Sequence, residues 1–241
     1  MDENNNNEIT NDKITIEDER SAAISHKDSA LKRLDLSFNK HIEAKEYKKS
    51  HLLSYWITDF SNYHDEEKTF DSSSLKTFKR GDIVKVNLGF NIGNELGGLH
   101  YCVVLNKNDN PYSGTLNVIP LSSFKENKKF NDSTCINLGD ELYNLLSTKC
   151  NNGFEQLRRE MSNLQNIHDM EEVKAITNKL EYLNKLQKEV DKMKHGSYAL
   201  VHQITTISKQ RLHKTSILSG IKVSNNSLNL IDEKIKKLYT K

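Results

Sequence analysis

The sequence predicts an α+β fold, in which a small β-barrel carries an N-terminal helical extension and an inserted helical hairpin. Short segments that alternate apolar and polar residues, separated by glycine-bearing turns, favour a barrel over an open α/β sheet. Apolar residues at helical spacing precede these segments. A second run, at alternating spacings of three and four, interrupts them and indicates the hairpin.

The composition is that of a soluble protein. The chain has 241 residues, of which 35% are hydrophobic and 28% charged, and its mean hydropathy is -0.72. No apolar run approaches the length of a membrane span. The first residues, MDENNNNEITND, are acidic and amide-rich, unlike a signal or transit peptide. We therefore expect a cytoplasmic protein without membrane association.

Charge and cysteine content exclude other classes. The net charge of +2 does not by itself predict nucleic-acid binding, so any basic surface must be local. Cys102, Cys135 and Cys150 form no CxxC pair, which argues against a disulfide framework or a cysteine-rich zinc site. No Asp, Glu and His cluster has metal-ligand spacing, so we expect neither metal nor cofactor.

The N-terminal part divides into three segments. Residues 1–16 are polar and aperiodic, which predicts a disordered tail. Residues 17–64 have apolar side chains at helical spacing, which predicts one long helix or two abutting helices. Within them, Trp56 and Phe60 are expected to pack this extension onto the barrel. A polar linker follows at 65–78.

The remaining residues, 79–241, are predicted to form the barrel domain. Gly81–Leu88 alternates apolar and polar residues, as a half-buried strand does. A glycine-rich loop, 89–98, leads into His100–Leu105, which is almost continuously apolar and is typical of an interior strand. A turn is predicted at Asp109–Gly114. Further strands are expected at 115–121, 133–138 and 197–204.

Residues 140–194 interrupt the barrel with a helical pattern like that of a coiled-coil seam. Both ends must return to the same barrel, so a hairpin that bends near 166–169 is predicted. Each arm would be about 25 residues, or about 35–40 Å, long at about 1.5 Å per residue. A short amphipathic helix is expected at Ser227–Tyr239.

Four sequence blocks are more specific in this order than any of them alone. They are KRGDI at 79–83, GNELGGLHYCVVL at 93–105, NVIPLSS at 117–123 and VHQITTISKQRL at 201–212.

Together these blocks resemble the MazF/PemK family of toxins, and the resemblance covers residues 79–139 and 195–241. It implies an SH3-like barrel that forms a homodimer and is neutralised by a cognate antitoxin protein. It also implies metal-independent cleavage of single-stranded RNA, such as mRNA, to 2′,3′-cyclic phosphate and 5′-hydroxyl ends. The helical extension and the 140–194 insert lie outside the resemblance.

The resemblance assigns the catalytic positions to His100 and Ser122, with Ser123 as a close second. The family has an arginine where this chain has His100, and a second family arginine is replaced by Thr205. An imidazole carries less fixed positive charge than a guanidinium but transfers protons better near neutral pH. The Ser122 hydroxyl can donate a hydrogen bond to a non-bridging phosphate oxygen.

RNA contacts are expected around this pair. The lysine run beyond Ser122 can hold phosphates, and the histidine of the last block can act as a second proton-transfer group. The glutamate of the glycine-rich loop has an alternative role as a brace for that loop. The predicted RNA-binding residues are Arg80, Glu95, Lys125, Lys128, Lys129, His202 and Gln203.

A second interpretation keeps the fold but not the chemistry. Without the family arginine, the domain can instead be a catalytically inactive MazF-like module that binds RNA or protein. The two interpretations differ in whether RNA is cut.

Overall fold

A computed structural model describes residues 15–124, 130–163, 170–193, 196–213 and 218–240. Its helices and antiparallel strands confirm the predicted α+β class. The chain divides into two compact units, Met1–Tyr55 and Trp56–Lys241. The predicted tail lies outside the described residues up to residue 14.

Two helices form at the N-terminal end, α1 (Ile16–Glu43) and α2 (Tyr47–Glu66). A capping box starts α1: the Thr15 side chain accepts from the Asp18 amide, and the Asp18 carboxylate accepts from the Thr15 amide. Lys45 separates the helices because its φ of 58° is left-handed and ends the helical path. Of the two predicted alternatives, two abutting helices is therefore the correct one.

Six strands form one antiparallel sheet in the second unit, and the longest strand, β3, pairs with three others. The strands are β1 (Ile83–Asn87), β2 (Leu99–Val104), β3 (Thr115–Ser123), β4 (Ile136–Gly139), β5 (Ser197–Ala199) and β6 (Thr205–Ser208). Their order is β1-β2-β3-β5-β4, with β6 also paired to β3.

The sheet is not closed into a barrel, which corrects the sequence prediction. Closure would need a ladder between β1 and a later strand. After β6 the chain turns through a short 3₁₀ helix, Lys209–Arg211. Among the described residues it then meets β1 through isolated contacts, such as the bridge between Val86 and Leu212 and the hydrogen bond from the Ile83 amide to the Ile221 carbonyl. Isolated contacts do not make a continuous ladder, so the sheet stays open at this edge.

The predicted continuous strand at 197–204 is also wrong, because a 3₁₀ turn at Val201–Gln203 separates β5 from β6. Leu121 pairs with Ala199, and Val118 pairs with Thr205. A three-residue step on β3 thus faces a six-residue step on the other strand, and the excess residues bulge out of the ladder.

Apolar side chains leave the strands alternately and form two separate clusters, as the period of two requires. Val86, Cys102 and Val118 belong to one cluster. Val103 and Ile119 belong to the other, which also receives side chains from the helices that follow.

Those helices are α3 (Glu141–Ser162), α4 (Met170–Lys192) and α5 (Asn225–Tyr239). α3 and α4 follow β4 and precede β5 in the sequence, and they pack against each other. Because β4 pairs with β5, both ends of this helical pair join the same sheet. Leu146 and Leu186 are fully buried at 0% exposure. The predicted bend at 166–169 lies outside the described residues.

A cluster of charged and polar side chains joins α4 to strands β1 and β2. Glu189 accepts hydrogen bonds from Lys85 Nζ at 2.5 Å and from the Tyr101 hydroxyl at 2.9 Å. Burial opposes ionisation of Glu189, but these hydrogen bonds and the Lys85 charge outweigh it and lower the pKa of Glu189. Burial, followed by the Glu189 charge, raises the pKa of Tyr101.

Replacing Glu189 by glutamine should change how stability depends on pH. The pKa of Glu189 is lower in the folded state, so its stabilisation is present above the ordinary value of 4.5 and is lost as pH falls through the folded pKa. The free energy of unfolding of the variant should be lower than that of the wild type by about 1.5–3 kcal/mol at neutral pH. Thermal unfolding measures this loss as a lower Tm. The difference should shrink on acidification below the ordinary value. A constant difference down to the acid limit would contradict this assignment.

Candidate functional site

His100 is half-buried on β2, in register with Val86 of β1. Its Nδ1 lies 2.9 Å from the carbonyl oxygen of Leu121, the residue before Ser122. A carbonyl oxygen only accepts, so Nδ1 carries the hydrogen in the neutral imidazole and Nε2 is the basic nitrogen. The structure thus places the imidazole against the peptide that leads into the predicted serine pair.

The two serines differ in exposure. Ser122 is buried at 6% exposure and pairs in register with Tyr198, whereas Ser123 is exposed. Both line a small cavity of about 30 Å³ that is also bounded by Tyr101. For a hydrogen bond to a ligand approaching from solvent, exposure favours Ser123 over Ser122.

The glycine-rich loop folds back on itself at its base. The Gly98 amide donates to the Gly89 carbonyl at 2.6 Å, and the Leu88 amide donates to the Gly98 carbonyl at 2.8 Å. A Cβ on Gly97 would lie 2.7 Å from the Gly89 carbonyl oxygen, which is too close for any other residue. This close backbone approach explains the glycine at position 97 of the second sequence block.

Gln203 braces this loop from the 3₁₀ turn. Its Oε1 accepts from the Leu96 amide at 2.7 Å, and its Nε2 donates to the Asn94 carbonyl at 3.0 Å. The bracing role that was an alternative for Glu95 therefore falls to Gln203. Glu95 itself is exposed, and His202 is exposed with Nδ1 3.3 Å from the Thr134 carbonyl oxygen.

Alanine at Gln203 should loosen the loop without unfolding the domain. The substitution leaves the Leu96 amide without its acceptor, at a cost of about 1 kcal/mol. Hydrogen exchange of the amides at 94–96 should accelerate about fivefold. Gln156→Ala, on the exposed face of α3, is the matched control and should leave these amides unchanged. Unchanged exchange in the Gln203 variant would refute the bracing role.

A polar cavity of about 630 Å³ lies beside the braced loop, and we call it the loop groove. It brings together three of the predicted RNA-binding residues with one face of the sheet. Its lining includes Glu95, Leu96, Pro120, His202, Gln203 and Arg211.

Other predicted RNA-binding residues lie elsewhere. Arg80 is half-buried, and its guanidinium donates to the Leu105 carbonyl at 2.6 Å and pairs with Asp232 of α5. It therefore joins α5 to the sheet and does not line the loop groove. Lys125, Lys128 and Lys129 lie outside the described residues.

Arg211 also lines the loop groove, although the sequence predicts no role for it beyond its place in the last block. Its Nε donates to the Asn87 carbonyl at 2.8 Å, and its guanidinium lies 5.4 Å from the Trp56 ring centroid. Burial lowers the pKa of Arg211, with partial opposition from the Tyr63 hydroxyl. The signal available in the sequence was a cation in a block that otherwise supplies His202 and Gln203.

Trp56 reaches this point because Gly89 has no side chain. A Cβ on Gly89 would lie 2.8 Å from Trp56 Cζ2, and the φ of +85° also favours glycine. Trp56 is half-buried, as expected of a packing residue, but Phe60 is 46% exposed, so the prediction that Phe60 packs the extension is wrong.

Neither a metal-binding cluster nor a membrane-spanning helix is found among the described residues. No group of three or more His, Cys, Asp and Glu side chains there is placed to hold a metal ion. In the same part of the chain, no helix combines the length and apolarity needed to cross a membrane.

One segment of the chain matches the model of a known protein family. Residues 79–149 match a family model described as PemK-like, MazF-like toxin of type II toxin-antitoxin system. The match covers β1 to β4, the glycine-rich loop, His100 and both serines. A comparison with curated proteins gave no match.

The matched family consists of toxins from type II toxin–antitoxin systems. The chain carries a PemK-like, MazF-like toxin segment at 79–149, which confirms the family predicted from the four sequence blocks.

Proposed function

We propose that this protein is the toxin of a toxin–antitoxin system and acts as an endoribonuclease on single-stranded RNA. The products are a 2′,3′-cyclic phosphate and a 5′-hydroxyl end, formed without a metal ion. Membership in the toxin family supports the toxin role. The loop groove, with its amide side chains and Arg211, supports a polar, extended substrate.

The observation that carries the proposal is the position of His100. Its Nδ1 is fixed by the Leu121 carbonyl, so Nε2 serves as the proton acceptor beside the β3 serines. In the proposed reaction, Nε2 removes the proton of a ribose 2′-hydroxyl. The 2′-oxygen then bonds to the adjacent phosphorus, the P–O5′ bond breaks, and the departing 5′-oxygen takes a proton from solvent.

A serine hydroxyl supports the same step by hydrogen bonding to a non-bridging phosphate oxygen. The exposure of Ser123 supports that residue for this role, whereas Ser122 lies one residue closer to the His100 contact. Cleavage by Ser122→Ala and by Ser123→Ala, measured side by side, assigns the donor.

The test is to incubate the purified full chain with a long single-stranded RNA in the presence of EDTA and to map the new ends. Cyclic phosphates and 5′-hydroxyls are the expected products. RNA binding with no cleavage under any condition would instead identify the inactive binding module.

The family also leads us to propose a homodimer and a cognate antitoxin protein as partners. Light scattering of the purified protein tests the dimer. Rescue of growth by co-expression of a gene adjacent to that of the toxin tests the antitoxin.

A further inference from the structure

The loop groove contains one permanently positive side chain among its described lining residues, and that residue is Arg211. The other lining groups are apolar, amide or hydroxyl side chains, together with Glu95 and His202. A polar groove with a single fixed cation is suited to a ligand that presents one anionic group at a defined point.

The Arg211 side chain is held before any ligand arrives. Its Nε donates a hydrogen bond to the carbonyl of Asn87, and the guanidinium carbon lies over the Trp56 indole, 5.4 Å from the ring centroid. Asn87 is itself fixed, because its Nδ2 donates to Asp59 Oδ2 at 2.7 Å and its Oδ1 accepts from the Gly89 amide at 3.1 Å. Such preorganisation lowers the entropy lost when a ligand binds.

Most of the donors of this guanidinium remain for a ligand. An arginine has five N–H donors, and the Nε donor is occupied by Asn87. Within the described part of the chain, no further hydrogen bond or ion pair involves the Arg211 terminal nitrogens. The remaining fork geometry matches two oxygens of a phosphate.

We infer that Arg211 is a phosphate anchor of the loop groove, which holds one backbone phosphate of single-stranded RNA against the braced glycine-rich loop. This inference rests on the proposed function, since it names how the proposed RNA substrate is held. Arg211 acts here as a binding residue, and the proton transfers remain with His100.

The structure provides its own reporter for this contact. Trp56 is the sole tryptophan of the sequence, and the Arg211 guanidinium lies over its ring. A phosphate that binds Arg211 changes the charge next to the indole. Titration of the wild-type protein with a short single-stranded RNA carrying 2′-O-methyl riboses, which cannot be cleaved, should therefore change the Trp56 emission.

Variants test the charge and the fork separately. Arg211→Gln should weaken binding of this oligonucleotide about tenfold and reduce the slope of log Kd against log salt by about 0.7. Arg211→Lys should retain the slope and lose part of the affinity, because lysine keeps the positive charge but lacks the paired N–H donors of the guanidinium. Arg158→Gln, an exposed arginine of α3, is the control and should match the wild type.

The outcomes separate this inference from the function on which it rests. If the wild-type protein neither binds nor cuts RNA, the proposed function is refuted. A wild-type protein that cuts RNA, with a folded Arg211→Gln variant of unchanged affinity and salt slope, overturns only the phosphate anchor. If Arg211→Gln fails to fold, the wild-type titration decides, and binding without any change in Trp56 emission overturns the inference.

Discussion

Replacing His100 by asparagine should reduce RNA cleavage by about 10²–10⁴-fold, the usual contribution of general acid–base catalysis. In the wild type the imidazole Nδ1 lies 2.9 Å from the Leu121 carbonyl oxygen. Asparagine is the informative substitution because its Nδ2 can take the place of Nδ1 and still donate to this carbonyl. The basic nitrogen is then removed while the contact with β3 is kept. Single-turnover cleavage of a defined single-stranded RNA gives the rate.

The controls distinguish loss of chemistry from loss of fold. The His100→Asn protein should unfold at nearly the wild-type temperature and bind uncleavable RNA with wild-type affinity. His100→Ala should lose the same activity and also some stability. Full cleavage by the asparagine variant would remove His100 from the mechanism and leave the serines and Arg211 to be tested.

Replacing Lys209 by methionine should cause the largest loss of stability, about 3–5 kcal/mol. The side chains of Lys209 and Asp109 are each 1% exposed, with Nζ 2.8 Å from Asp109 Oδ1. Nζ also donates to the Asn110 carbonyl at 3.1 Å. Methionine fills a similar volume but leaves the Asp109 carboxylate buried without its counter-ion. Urea unfolding measures the difference in free energy.

A double variant separates charge from packing. Lys209→Met combined with Asp109→Asn removes both charges, and the amide oxygen can still accept from the Phe78 amide that Asp109 Oδ2 now binds at 3.1 Å. It should be more stable than Lys209→Met alone, as expected of two coupled sites. Lys188→Met on the exposed face of α4 is the control, at about 0.5 kcal/mol or less. Equal stability of the single and double variants would show that the pair is not coupled.

Local patterns in the sequence predicted much of the fold. Alternation identified β1, and the three-and-four spacing of apolar residues identified the helices within 140–194. These signals work because each reports which side of a single element is buried. The four ordered blocks also predicted the family, which the match at 79–149 confirms.

The errors have a common physical origin. The segment 197–204 appeared to be one strand because every local preference favours extension there. The turn at Val201–Gln203 arises from the register of β5 and β6 on β3, which no local pattern encodes. The closed barrel failed for a similar reason, since closure depends on whether Leu212 continues a ladder with Val86 or meets it only once.

The candidate site shows the same division. The sequence by itself determined that His100, the serines and the glycine-rich loop occur in the order of a toxin family. The tertiary structure decided that His100 meets the Leu121 carbonyl, that Gln203 braces the loop and that Arg211 lines the loop groove with its guanidinium over the Trp56 ring. Residue type and spacing are local properties, whereas these contacts join distant parts of the chain, and the packing of strands, 3₁₀ turns and α2 brings them together.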